Sequence, residues 1–190
     1  LPEVYYVLAF SPQNMKFDGN YHKLKVSLTS KAKLSIQSRR GYYAPEKPVD
    51  PVAHAKEEIE QAIFSQDEVS ELPVAVHTQF FKVNETQAKL SVLTHLDVRL
   101  MHFRKENGRN LNNLTLDTVL FDRDGKYLDG KEKRVEFRLR DPSFEKLSQS
   151  GITSKTIFDV PPGTYTIRQV VRDSEGAQLS ALNKRVEIPL

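Results

Sequence analysis

The sequence predicts a mainly β protein. The expected fold is an immunoglobulin-like or fibronectin III-like antiparallel β-sandwich of about seven strands, preceded by a three-stranded β element and one linker helix. Three observations predict it. From residue 73 onward, apolar and polar side chains alternate with period two through seven segments. Asn-, Asp- and Gly-rich turns separate those segments. The run "DVPPGTYTIRQVVRDSEG" (159–176) has the order of residues of a penultimate sandwich strand.

The elements follow in order. Residues 4–10, "VYYVLAF", are β-branched and aromatic, and "SPQN" ends them. Leu24, Val26 and Leu28 alternate with Lys23, Lys25 and Ser27, and Leu34 and Ile36 open a strand running into "RRGYY". Three short strands over 1–43 need further cover for their apolar face. "APEKPVDP" (44–51) is a break, after which Asp50 reads as an N-cap with Pro51 at the first helical position. Val52, Ile59, Ala62 and Ile63 share one side of a helix over about 51–65, with Glu57, Glu58 and Glu60 expected to face water. The expected division is a small β element at 1–45, a helical linker at 46–70 and the sandwich at 71–190.

Within the sandwich, Val74, Val76 and Phe80 alternate in the first strand. Leu90, Val92, Leu96, Val98 and Leu100 share a face of the second, and Leu114, Leu116 and Leu120 mark the third. Val135, Phe137 and Leu139 alternate with arginines and Glu136 in the fourth. The fifth runs from Ile152 to Phe158, the sixth over 164–172 and the seventh over 179–188. "VPPG" (160–163) cannot continue a ladder because proline lacks the N–H, so it turns the chain between the sheets. Pro161, Pro162, Gly163 and Tyr165 are thus structural candidates, with the Tyr165 hydroxyl returning to an upstream backbone group as a tyrosine corner. Tyr165, Ile167 and Val171 point one way, with Gln169 an unaccounted polar member of that row. Thr166, Arg168 and Arg172 point the other way, and Arg168 is expected to face solvent.

Chemistry is harder to find. No cysteine is present, which removes disulfides, thiolate catalysis and cysteine-ligated zinc. "DRDGKYLDG" (122–130) has acids at calcium-loop spacing, but glycine stands fourth and Lys133 twelfth, so an Asp-Gly hairpin turn is expected instead. His22, His54, His77, His95 and His102 show no metal spacing, and His77 and His95 fall on the polar faces of their strands. "NET" (84–86) and "NLT" (113–115) match the glycosylation sequon and read as turns. No catalytic constellation, cofactor motif or metal-ligand set is visible. Nothing approaches a membrane-spanning apolar run.

The net charge of +3 is uneven: seven Lys/Arg stand against Glu3 and Asp18 in 1–43, and eight acids against Lys47 and Lys56 in 44–72. "SRRGYY" (38–43) is the one run with nucleic-acid character, and two arginines at a strand end do not make such a surface, so no nucleic-acid partner is expected. The chain opens on strand-like sequence without a starting Met or signal peptide, which reads as a mature or trimmed fragment.

The runs "YYVLAFSP", "DGNYHKLKVSL" and "SRRGYYAP" carry a family likeness. Tyr6, Leu8, Phe10, Pro12, Asp18, Gly19, His22, Val26, Arg39 or Arg40, Gly41 and Tyr42 stand at matching positions. Over roughly residues 1–45 the chain resembles the segment that closes von Willebrand factor A-related proteins of Acidobacteria. That resemblance implies a surface or periplasmic bacterial protein with an A domain upstream, binding through a metal-ion-dependent adhesion site. The D-x-S-x-S motif of that site is not in this chain, so no metal ligand is carried over. The expected function is a non-enzymatic accessory module that braces or presents a binding domain and offers protein-binding surface. A carbohydrate-binding sandwich is the alternative, and a hydrolase fragment is disfavoured by the missing constellation.

Overall fold

Period-two patterning from residue 74 builds two facing antiparallel sheets. The protein is described by a computed structural model covering residues 18–27, 29, 38–44 and 50–189. It divides into two compact units, Leu1–His54 and Ala55–Leu190.

In the first unit β1 (Tyr21–Lys23) pairs antiparallel with β2 (Gly41–Tyr43), His22 opposite Tyr42. Asp18 nucleates the turn before β1. Its carboxylate accepts the Asn20 N–H and lies 3.0 Å from the His22 Nε2. Gly41 is required by space, because a Cβ there would lie 2.3 Å from the His22 carbonyl oxygen. Regular pairing ends at Lys23, although the Leu24 N–H still donates to the Arg40 carbonyl at 2.9 Å. The strand expected at 4–10, with Tyr5 and Tyr6, and the one begun by Leu34 and Ile36 lie outside the described residues.

Helix α1 (Pro51–Phe64) starts where the Asp-Pro pair predicts. The Asp50 carboxylate accepts the Val52 N–H at 3.0 Å, and Pro51 supplies the preset φ of the first turn. The division between the two units falls inside this helix, so most of it belongs with the sandwich rather than with a separate linker.

The second unit continues with β3 (Val69–Ser70), β4 (Val74–Lys82) and β5 (Ala88–Leu96). A single 3-10 turn at Val98–Leu100 leads to β6 (Arg104–Glu106), β7 (Arg109–Asp122) and β8 (Tyr127–Leu139). Helix α2 (Asp141–Ser150) precedes β9 (Ile152–Val160), β10 (Gly163–Asp173) and β11 (Gln178–Ile188). The small sheet has the order β4-β5-β9, and the large one β3-β11-β10-β7-β8 with β6 also on β7. The seven long strands thus divide three and four, in the pattern A-B-E against G-F-C-C′ of an immunoglobulin-like or fibronectin III-like sandwich. Lys131 and Lys133 of β8 donate to the Ile157 and Lys155 carbonyls of β9, closing the side where the sheets meet edge to edge.

The core is two apolar clusters with a polar layer between them. Leu90, Val92, Phe158, Leu120, Ile167 and Ile188 form one. Leu96, Val98, Leu114, Leu116, Phe137 and Val171 form the other. Between them lie Thr94, Thr118, Thr156 and Gln169, all buried. The Gln169 Oε1 accepts from Thr94 Oγ1 and Thr118 Oγ1, each at 2.8 Å, and its Nε2 donates to the carbonyls of Asp117 and Val170. The polar member of the β10 row therefore has every amide position satisfied, the condition for burying it without loss.

Two turns follow their sequence signals. Gly125 takes φ +81° between β7 and β8, and the Asp122 carboxylate accepts the N–H groups of Asp124 and Lys126. "DSEG" is held by the fully buried Asp173 carboxylate, which accepts the N–H groups of His102, Glu175 and Gly176 and the Asn112 Nδ2. Other features differ from expectation. Helix α2 was not foreshadowed; Phe144 packs on Phe103 at 4.8 Å between centroids, and Gly151 ends the helix at φ +65°. Asn113 lies on β7 instead of in a turn, whereas Asn84 does cap a turn through the Thr86 N–H and hydroxyl. Leu100 falls beyond β5 and is exposed.

Asp117, on the outer face of β7, is 8 % exposed, and its Oδ2 has no hydrogen-bond partner. Burial, reinforced by the facing Glu132, pushes its carboxyl up to about 6. The folded chain therefore binds this proton more tightly than the unfolded chain does. Stability is expected to fall as pH rises from about 4 to 6 and to stay reduced above that, by about 2–3 kcal/mol from this group. Asp117→Asn should remove that slope in denaturant melts taken at several pH values. An unchanged slope would mean that the carboxylate is hydrated in the fold.

Candidate functional site

The outer face of the large sheet is covered. Along β10 every residue from Tyr165 to Asp173 except Thr166 is buried, so both faces of the strand are out of water. The residues from Ala55 to Leu72 supply the cover on the outer side. Arg168 is 1 % exposed. Its Nε donates to the Ala62 carbonyl at 2.8 Å, its Nη2 to the Asp67 carbonyl at 2.7 Å and its Nη1 to Asn183 Oδ1 at 3.2 Å. Arg172, next on the same face, pairs through Nη2 with the Glu58 carboxylate at 3.0 Å.

Local chemistry explains this clasp. α1 carries no basic residue in its last turn, so its C-terminal carbonyls and the negative end of its dipole lack a cation of their own. Arg168 supplies both from a strand over a hundred positions away. Burial pushes the Arg168 guanidinium down, opposed by the charges of Glu68 and Asp67. Ile59, Ala62 and Ile63 are half-buried, and Phe64 meets Phe121 edge-on at 6.3 Å. The chain after the helix is then stitched to β11. Glu68 accepts the Asn183 N–H, Glu71 accepts the Leu179 N–H, and Ser180 Oγ bonds both backbone groups of Leu72.

Two expectations are corrected here. Arg168 does point away from Tyr165, but into the helix cover and not into solvent. Glu58 does not face water, because Arg172 draws it onto the sheet. The acidic segment at 44–72 meets arginines of β10, a pairing that its sequence neighbourhood does not reveal.

The predicted structural residues lie at the other end of β10. Pro161 and Pro162 connect β9 to β10 and Gly163 opens β10. The Tyr165 Oη donates to the Pro161 carbonyl at 2.7 Å, and its ring is 5 % exposed. A Cβ on Gly163 would come within 3.3 Å of that hydroxyl, so the ring lies along the glycine. Burial pushes the phenol up. This is the hydrogen bond that a tyrosine corner makes where the fifth strand turns into the sixth. The corner and the clasp share β10, one on each face.

The remaining candidates are dispersed. Tyr42 stacks on His22 at 5.4 Å, and Tyr43 is exposed beside Tyr21. His77 is exposed on β4, while His95 is half-buried on β5, with Nδ1 3.0 Å from Thr153 Oγ1. No group of three or more His, Cys, Asp or Glu placed to hold a metal occurs among the described residues. No described helix is long and apolar enough to cross a membrane.

No family model and no curated protein matches the chain. Solved structures similar to it include a glycosyl hydrolase family 2 member from Bacteroides cellulosilyticus, at 10 % identity and a TM-score of 0.41 over 60 % of this chain. A calcium-binding mutant of Bacteroides uniformis β-glucuronidase 2 is similar at 15 % identity and a TM-score of 0.39, also over 60 % of this chain. The match takes in 14 % and 13 % of those two chains, so this chain corresponds to a small part of each.

Proposed function

We propose that the chain is a non-enzymatic accessory module of a bacterial surface or periplasmic protein, bracing or presenting an adhesion-type binding domain and offering surface to protein partners. The observation that carries this reading is the clasp. A β-sandwich that spends two buried or nearly buried arginines on fastening the segment leading into it is built to hold that segment in place. A flexible tether would leave the same residues in water. The expected test uses the parent protein with and without residues 1–190. Deletion should weaken ligand capture by intact bacteria and leave the affinity of the isolated binding domain unchanged. Loss of a substrate turnover on deletion would overturn the reading.

Limited proteolysis checks the clasp directly. Cleavage within 55–72 is expected to be slow in the natural chain and to accelerate in Arg172→Met, which leaves Glu58 unpaired. Equal rates in the two proteins would show that the segment is held by something other than the arginine.

A further inference from the structure

The outer face of the small sheet has no such cover. Strand alternation places His77 and Gln79 of β4, Leu93 and His95 of β5 and Thr153 of β9 on it, and Lys184 of β11 reaches its side past the β4 edge. Together they line a depression of about 660 Å³. His77 is opposite Leu93, and His95 stands one diagonal step away, which puts the two imidazoles roughly 7–8 Å apart at their Cβ atoms. His95 is fixed by Thr153 and lies against Gly151.

The lining is rich in donors and contains no carboxylate. The acids nearest in sequence and register are already engaged: Asp159 by Lys89 at 2.9 Å, and Asp97 by Arg99. Lys155, on the same face of β9, and Lys184 make no ion pair among the described residues. His77 and Gln79 make no side-chain hydrogen bond among the described residues. Elsewhere on the sandwich, exposed arginines such as Arg134 and Arg138 are matched by a neighbouring acid. Here two lysines and two histidines share one concave face with their charge uncompensated, and a field of that kind concentrates anions.

We propose that this depression binds an organic carboxylate, with Lys184 and protonated His77 meeting the oxyanion and Gln79 and Thr153 meeting neighbouring hydroxyl groups. Leu93 supplies an apolar floor. The charged and titratable groups facing the histidines are Lys184 from β11, Lys155 and the Lys89–Asp159 pair across β5 and β9, and Asp97 after β5. Cations outnumber acids among them, so binding strengthens as the histidines gain protons.

The test is a nuclear magnetic resonance titration of the 190-residue chain with galacturonate and with galactose, which differ in the carboxylate alone. At about pH 6 galacturonate is expected to shift amides of β4, β5 and β9 around the depression, and galactose is not. The affinity is expected to drop about tenfold at about pH 8, and about tenfold or more in the exposed double variant His77→Gln/Lys184→Gln. Unchanged spectra of that variant outside the depression show that it is folded. Equal shifts with galactose would replace the proposal with a neutral-sugar site. Shifts away from the depression, or an affinity that the double variant leaves intact, would overturn it.

Discussion

Arg168→Ala is expected to destabilise the protein by about 3–5 kcal/mol. The substitution leaves the Ala62 and Asp67 carbonyls without their donor in a site that excludes water, at about 1–3 kcal/mol for each stranded group. It also empties the volume of the largest fully buried side chain in the sandwich. Arg168→Lys keeps the charge but not the fork that reaches two carbonyls and Asn183 at once, and should cost about half as much. Arg138→Ala, exposed and paired only with Glu136, should stay within about 0.5 kcal/mol. Denaturant melts of the three variants give the ranking, and hydrogen exchange should show the α1 amides opening first in Arg168→Ala. A loss below about 1 kcal/mol for Arg168→Ala would mean that water replaces the guanidinium and that the helix is not fastened by it.

The second large effect is expected at Tyr165. Tyr165→Ala removes a ring packed against Leu120 and Phe158, beside a cavity of about 400 Å³ that the tyrosine itself lines. The neighbours cannot collapse into a space that is already partly empty, so the loss should reach about 3–5 kcal/mol. Tyr165→Phe keeps the ring and loses the bond to the Pro161 carbonyl, which lies at an exposed residue and can turn to water. About 1 kcal/mol is expected there. Tyr165→Phe as damaging as Tyr165→Ala would show that the hydroxyl, and not the ring, holds the corner.

These two residues show what the sequence reveals and what it hides. Tyr165 is legible because its surroundings are local: two prolines, a glycine and a two-residue period fix its place within five positions. The seven long strands are legible for the same reason, each carrying its own alternation and its own turn. Arg168 is not, because the period says which face a side chain takes but not whether another element covers that face. A signal was present. "TVLF" in β7 and "QVV" in β10 place apolar groups on both faces of their strands, the pattern of a sheet buried on both sides. α2 was equally available, since Asp141-Pro142 repeats the Asp50-Pro51 start of α1. The carboxylate depression was out of reach, because it depends on the β4–β5 register and on a lysine from the other sheet.

The Gln169 layer has a consequence for strand addressing. If β10 slid by two residues along β7, every inward side chain would still point inward, and the apolar alternation would not object. The amide would then face leucines, with two threonine hydroxyls left behind in the apolar interior, a loss of several unshared hydrogen bonds at once. Four polar side chains therefore act as a coordinate mark. They make one alignment of the two sheets acceptable among several that oil alone would tolerate, and they do so from the midpoint of the barrel-length strands, where a slip is hardest to correct from either end.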